Sequence, residues 1–144
     1  MQTNYSLELK PAITGSLYDL STKTIDSFSA EEPMNAGVPV VPGTKEGLVK
    51  AATTGDASKI IGIAMFTHKQ VIDGAEKYYE KGYILPVVTD GRVWVEVEGE
   101  ITPFTTEVKF DPSKGKFTAD GTETVPNAKF ITSAVQGMAV VQIG

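Results

Sequence analysis

The sequence predicts an all-β domain, either a barrel or a sandwich. Nine short segments rich in β-branched and aromatic residues are separated by turns containing Gly, Pro or Asp. Only one segment, residues 69–81, has the spacing of an amphipathic helix, and Gly74 inside it limits the prediction to two turns that end at Gly82. The predicted strands span residues 38–41, 48–51, 60–66, 83–89, 92–98, 107–110, 116–119, 129–133 and 138–143.

The clearest element is the segment YILPVVTDGRVWVEVE at residues 83–98. Asp90-Gly91 tolerates positive φ at both central positions of a tight turn, so the segment predicts an antiparallel hairpin. After that turn, Val93, Val95 and Val97 alternate with polar residues, which predicts that the valines face a core and that Trp94 faces outward. The apolar run IIGIAMF at residues 60–66 predicts a central strand, because it offers no polar face to solvent.

The first 36 residues differ from the rest and are predicted to form an N-terminal arm, followed by a β-domain at residues 37–144. The arm begins with an alternating stretch, NYSLELK, that could add a strand to the exposed sheet edge of a partner. Two alternatives are a frayed chain end and an arm that completes the domain's own sheet. The residues predicted to contact a partner are Tyr5, Leu7 and Leu9 on the strand and Ile13, Leu17 and Tyr18 after it.

Composition excludes several classes of function. The chain has 144 residues and no cysteine, so disulfides, thiolate metal sites and cysteine nucleophiles are impossible. A net charge of −5 with scattered lysines argues against nucleic-acid binding. No apolar run is long enough to span a membrane, and the N-terminus lacks the pattern of a signal peptide. We therefore expect neither nucleic acid nor membrane as a partner.

Candidate chemical groups are sparse. His68 is the only histidine, and one histidine without clustered carboxylates is a poor metal site and a poor triad. Asp90, Glu96 and Glu98 could form a carboxylate pair, but a solvated or interface face explains them more simply. We expect no enzyme activity, no metal and no cofactor. Trp94 is predicted to lie in a subunit interface or under another segment, with sugar stacking as the alternative.

Several stretches together resemble the capsid cement, or decoration, proteins of tailed bacteriophages. They are AITGSLYD, IDSFSAEEPMNAGVPVVPGT, IIGIAMFTHK, YYEKGYILPVVTDGRVWVEVEGEI and the final AKFITSAVQGMAVVQIG. The resemblance extends over most of the chain from about residue 12. It departs from the family at the Asp-Gly before Arg92 and in the longer insert at residues 69–81.

The resemblance implies a small antiparallel β-barrel or tulip-like domain that binds the outside of a capsid and braces it. It further implies the major capsid protein as partner, a homotrimer, and a location on the virion after synthesis in the host cytoplasm. The outward position of Trp94 makes it the candidate for the self-interface. Two other functions stay open at this point. One is a carbohydrate-binding or head-fibre β-module, and the other is a small hydrolase that uses the carboxylates near Asp90.

Overall fold

The computed structural model of the chain describes residues 13–19, 23–67 and 77–144. These residues contain ten strands and a single 3-10 turn at Ala57–Lys59, so the all-β prediction is confirmed. No helix among them is long and apolar enough to cross a membrane. The strands are β1 (Thr24–Ala30), β2 (Pro39–Pro42), β3 (Leu48–Ala51), β4 (Gly62–Ala64), β5 (Ile84–Glu98), β6 (Lys109–Asp111), β7 (Lys116–Thr118), β8 (Glu123–Thr124), β9 (Ala128–Phe130) and β10 (Met138–Ile143).

Five strands close into a barrel in the order β1-β3-β2-β4-β5, and β5 then pairs with β1. Closure removes the open sheet edges that an isolated sheet would expose. Most pairings are antiparallel, whereas β1 with β3 and β5 with β7 are parallel. β1 lies within the first 36 residues, and the boundary at residue 36 stays a prediction.

The other strands extend the sheet beyond the barrel on both edges of β5. β10 pairs with β5 and carries β9 on its far side, whereas β7, β6 and β8 follow from the end of β5. The described residues form two hydrophobic cores as a result. The barrel core contains Val40, Val49, Ala64, Leu85 and Val87. The second core contains Val41, Ile63 and Val88 from the barrel strands and Phe110, Phe117 and Phe130 from the added strands.

Barrel strands β2 and β4 contribute neighbouring residues to opposite cores. Val40 and Ala64 point into the barrel, and the adjacent Val41 and Ile63 point into the second core. Strands buried on both faces read as continuous apolar runs, so the prediction of a central strand within residues 60–66 is confirmed. Gly62 is required there, because a Cβ atom would lie 2.5 Å from the carbonyl oxygen of Val88.

The predicted hairpin around Asp90-Gly91 is wrong, because Ile84–Glu98 is one continuous strand of 15 residues. The two halves do not pair with each other: the first pairs with β1 and β4, and the second pairs with β10. The Asp-Gly pair instead marks a bulge. Thr24 lies opposite Asp90 and Ile25 lies opposite Val88, which leaves Thr89 as the extra residue.

The bulge decides which side chains of β5 are buried. Thr89 and Asp90 both lie on the outer side, and Gly91 is buried again, with φ of +153°. Val88 before the bulge and Val93 after it therefore face the same second core. The prediction that Val93, Val95 and Val97 face inward is confirmed, since all three are buried in that core.

The predicted helix at residues 69–81 falls largely on residues 68–76, which lie outside the described residues. The described end of that segment is not helical. Tyr79 pairs instead with Met34 in an antiparallel bridge, with N–H to O=C distances of 2.8 and 2.9 Å. The chain turns at Gly82, which has φ of +86°.

The bulge predicts opposite effects for two changes of chain length in β5. Deletion of Thr89 removes the extra residue and leaves regular alternation with the valines still inward, so we expect a cooperative unfolding transition to persist. Insertion of one alanine after Gly91 turns Arg92 and Glu96 toward the second core. Unpaired buried charges cost several kcal/mol or more, comparable with a total stability of about 5–15 kcal/mol, so this variant should not fold.

Urea denaturation followed by circular dichroism measures both variants. Substitution Thr89→Ala is the control, because it keeps the chain length and removes only the side-chain hydroxyl, which bonds to Asp26 at 3.0 Å and to the carbonyl oxygen of Thr24 at 3.3 Å. A deletion variant that fails to fold beside an insertion variant that folds would contradict the bulge assignment.

Candidate functional site

The described start of the chain, residues 13–19, forms a strap along β5 at the edge opposite β10. The N–H of Gly15 donates to the carbonyl oxygen of Trp94 at 2.7 Å, and the N–H of Trp94 donates to the carbonyl oxygen of Ser16 at 2.9 Å. The N–H of Tyr18 donates to the carbonyl oxygen of Arg92 at 3.0 Å, and Leu17 forms an antiparallel bridge with Val93. The strap therefore continues the sheet by one short strand.

Two glycines allow the strap to cross the end of β4. Gly15 has φ of +88°, and a Cβ atom on it would lie 2.8 Å from the backbone nitrogens of both Gly37 and Phe66. Gly37 faces it, with φ of +81°, and a Cβ atom there would lie 1.9 Å from Oγ1 of Thr14. Real Cβ atoms do not come so close to backbone atoms, so only glycine permits this crossing.

The side chains of the strap divide into two sets. Leu17 is half-buried and packs against the second core. Ile13 and Tyr18 are 51% and 41% exposed. The Tyr18 ring meets the Trp94 ring edge to face, with centroids 5.9 Å apart. Three of the predicted contact residues and Trp94 thus lie along one stretch of β5, whereas Tyr5, Leu7 and Leu9 lie outside the described residues.

An ion pair fixes the far end of the strap. Asp19 lies 3.5 Å from Nη1 of Arg92, and Nε of Arg92 donates to Oε1 of Gln142 at 3.0 Å. Both charged side chains are partly exposed, so the pair contributes at most about 1 kcal/mol. Backbone bonds and the half-buried Leu17 consequently hold the strap more than charge does.

A groove of about 480 Å³ opens beside the start of the strap. Its apolar wall contains Ile13, Phe66 and Tyr78, and its other wall carries Glu96, Lys114 and Lys116. Nζ of Lys116 lies 3.8 Å from Glu96, and Lys114 pairs with Glu98. The groove thus offers an apolar surface with a rim of ion-paired charges.

Four aromatic rings contact one another in series, from Phe66 in the groove through the buried Tyr79 to the exposed Tyr83. Phe66 stacks on Tyr78 at 5.5 Å, Tyr78 meets Tyr79 at 5.0 Å, and Tyr79 stacks on Tyr83 at 5.3 Å. Tyr79 is fully buried and donates its hydroxyl hydrogen to the carbonyl oxygen of Met65. Burial raises the pKa of Tyr79, which keeps the phenol neutral. This ring stabilises the barrel, and it is not accessible for stacking on a sugar.

The carboxylates proposed for catalysis do not converge in a shared pocket. Glu98 binds Nζ of Lys114 at 2.7 Å, and this hydrogen bond raises the pKa of Lys114. Glu96 pairs with Lys116, and Asp90 lies on the outer side of the bulge. Among the described residues no group of three His, Asp or Glu side chains could hold a metal ion. His68 lies outside them.

Sequence reasoning missed several exposed apolar residues. Ile84 at the start of β5, Phe104 in the loop after β5 and Val135 in the turn before β10 are all exposed. Val135 precedes Gln136 and Gly137, which both have positive φ as a type I′ turn requires. No periodicity could identify these positions, because each lies at the end of a strand or in a turn.

A family model described as structural cement protein (E217 gp24/Pam3 gp6) matches residues 1–144. None of the curated proteins matches the chain. Among solved structures, a chain described as the capsid of Myoviridae phage XM1 is 18% identical, with a TM-score of 0.66 over 94% of this chain and 91% of that one. The head fibre gp8.5 N base of bacteriophage phi29 is 14% identical, with a TM-score of 0.46 over 85% and 95% of the two chains. The first of these structures shares the fold of this chain.

The glycine crossing predicts that Gly15→Ala releases the strap without unfolding the domain. Gly47→Ala is the matched control, because Gly47 has a similar φ of +83° but no atom within 4 Å of its Cβ position. Trp94 is the only tryptophan and lies against Tyr18 in the strap, so its fluorescence reports the change. We expect a red-shifted emission for Gly15→Ala only. An unshifted Gly15→Ala spectrum would show that the crossing tolerates a side chain.

Proposed function

Because the chain belongs to the family of phage structural cement proteins, we propose that it binds the major capsid protein on the outer surface of a bacteriophage capsid and stabilises the shell. The family match over the full length of the chain carries this proposal. A phage structural protein of this family acts as part of the virion capsid. We further propose that it is synthesised in the host cytoplasm and assembles on the shell from there.

The architecture supports a mechanical role. A closed barrel shares three of its strands with a second core, so neither half can move without disturbing the packing of the other. A brace has to resist deformation, and close-packed interiors have low compressibility. We propose that the protein performs no catalysis, in agreement with carboxylates that pair with lysines on the surface of β5 and β7.

We propose that the N-terminal arm contributes the capsid contact. The strap holds the chain on β5 up to Ile13, so residues 1–12 start from a fixed point beside the groove. Tyr5, Leu7 and Leu9 alternate with polar residues and suit addition to a sheet edge of the capsid protein. Ile13 and Tyr18 would extend this contact, and Leu17 would hold the strap on the domain by packing against the second core.

We also propose self-association, most simply as a homotrimer, through the exposed ring of Tyr18 and the half-buried ring of Trp94. Aromatic residues are enriched in interfaces because they bring a large apolar area with few rotamers to order. Closed cyclic symmetry would cover this patch without allowing open-ended growth.

Two truncations test the role of the arm. Deletion of residues 1–12 leaves the strap intact, so we expect an unchanged melting temperature and loss of binding to empty capsids. Deletion of residues 1–20 also removes the strap with the buried part of Leu17, so its melting temperature should fall. Co-sedimentation with capsids and thermal denaturation measure the two effects. A protein lacking residues 1–12 that still decorates capsids at wild-type occupancy would contradict the proposal.

Light scattering tests self-association. We expect a trimeric mass for the wild-type protein and a smaller mass for Trp94→Thr at the same micromolar concentration. Val135→Thr is the control, because Val135 is also apolar and exposed but lies in the turn before β10 rather than in β5. A wild-type monomer at high micromolar concentration, or equal masses for the two variants, would exclude the interface.

A further inference from the structure

Phe104 is an aromatic side chain that the described part of the protein leaves in solvent. It is 66% exposed, whereas the phenylalanines of strands β6, β7 and β9 are fully buried. It lies in the loop between β5 and β6, in the sequence ITPFTT at residues 101–106. These six residues carry no charge, in a chain in which 22% of the residues are charged.

The backbone of Phe104 is strained. Its φ is +63°, in the left-handed region that bulky side chains avoid. Gln136 is the one other described residue outside glycine with positive φ, and it lies in a hairpin turn where that conformation is required. Phe104 gains no burial in compensation. A residue such as Asn or Gly would form this loop with less strain and less exposed apolar surface.

The surrounding bonds hold Phe104 in this conformation. Its N–H donates to the carbonyl oxygen of Phe130 at 2.9 Å. The N–H of Thr102 donates to Oγ1 of Thr106 at 2.8 Å, and the N–H of Thr106 donates to the carbonyl oxygen of Thr102 at 3.1 Å. Both ends of the loop are buried in the second core, at Ile101 and Val108. These bonds and the buried ends of the loop therefore hold the ring of Phe104 in one position on the surface.

We propose that Phe104 is a preformed anchor that inserts into an apolar pocket on the outer surface of the major capsid protein. Strained conformations persist where the surrounding structure enforces them and concentrate at sites of function. Rigid aromatic side chains are typical of binding hot spots, because they bring a large apolar area and lose little entropy on binding. The anchor rests on the proposed function, and it adds a second contact that is independent of the arm.

The capsid protein is the better match to this anchor than a second copy of the chain. The chain belongs to a family of phage structural cement proteins, for which the proposed function makes a capsid protein the partner. The aromatic patch proposed for self-association lies elsewhere, on the strap and the second half of β5. A single projecting ring on a loop fits a pocket in a different protein, whereas the Tyr18–Trp94 surface already offers a contact between copies. The test separates these two partners.

Phe104→Asn tests the anchor, because Asn tolerates the left-handed backbone and removes the apolar ring. We expect a melting temperature equal to or above that of the wild type and at least a tenfold weaker affinity for empty capsids of the encoding phage. Gln136→Asn is the control, because it introduces the same residue at the other left-handed position without removing an apolar ring. The affinity of this variant for capsids should be unchanged.

The outcomes distinguish this inference from the proposed function. Failure of the wild-type protein to bind capsids would overturn both. Equal capsid affinities of the wild type and Phe104→Asn would overturn the anchor alone. A lower melting temperature for Phe104→Asn would show that the ring stabilises its own domain, and a change of oligomeric mass would assign it to contact between copies. Either result would also overturn the anchor.

Discussion

The burial of β5 by two cores is the constraint on which the rest of the structure depends. The first half of this strand closes the barrel, and the second half supports β10, the strap and the end of β7. One strand can serve both only if its side chains stay in phase with two different sets of neighbours. The bulge at Thr89 takes up the extra residue, so that the side chains on both sides of it keep facing their own cores. A hairpin at this point would have divided the molecule into separate sheets.

The strap extends this arrangement to the start of the described chain. Because Gly15 passes between Gly37 and Phe66 without a side chain, the strap lies within the sheet rather than on top of it. Its backbone bonds to Trp94 and Arg92 are those of a short edge strand. A segment held in this way is attached directly to β5, the longest strand of the described structure.

The surface chemistry agrees with a protein that works by contact. Glu98 pairs with Lys114 in the β6–β7 turn, and Glu96 pairs with Lys116 at the start of β7. Tyr79 is buried as a neutral hydrogen-bond donor. The described surface also presents exposed apolar side chains, among them Ile13 and Tyr18 on the strap and Phe104 on its strained loop. Two separate apolar contacts would allow the affinity for a shell to exceed that of either alone, because the second binding event becomes intramolecular.

Local sequence pattern was sufficient to predict the all-β class of this protein, because side-chain alternation and turn residues reveal each strand by itself. The inward valines of β5 and the doubly buried β4 could be predicted from their own side chains. The pairing of strands could not. Asp90-Gly91 fits a hairpin turn and a bulge equally well, and only the partners β1, β4 and β10 decide between them. The strap could not be placed either, because Gly15 and Gly37 are 22 positions apart in sequence and meet only after the barrel closes. The exposure and the left-handed backbone of Phe104 could not be predicted for the same reason. The N–H of Phe104 bonds to Phe130, a residue that only long-range packing brings close to it.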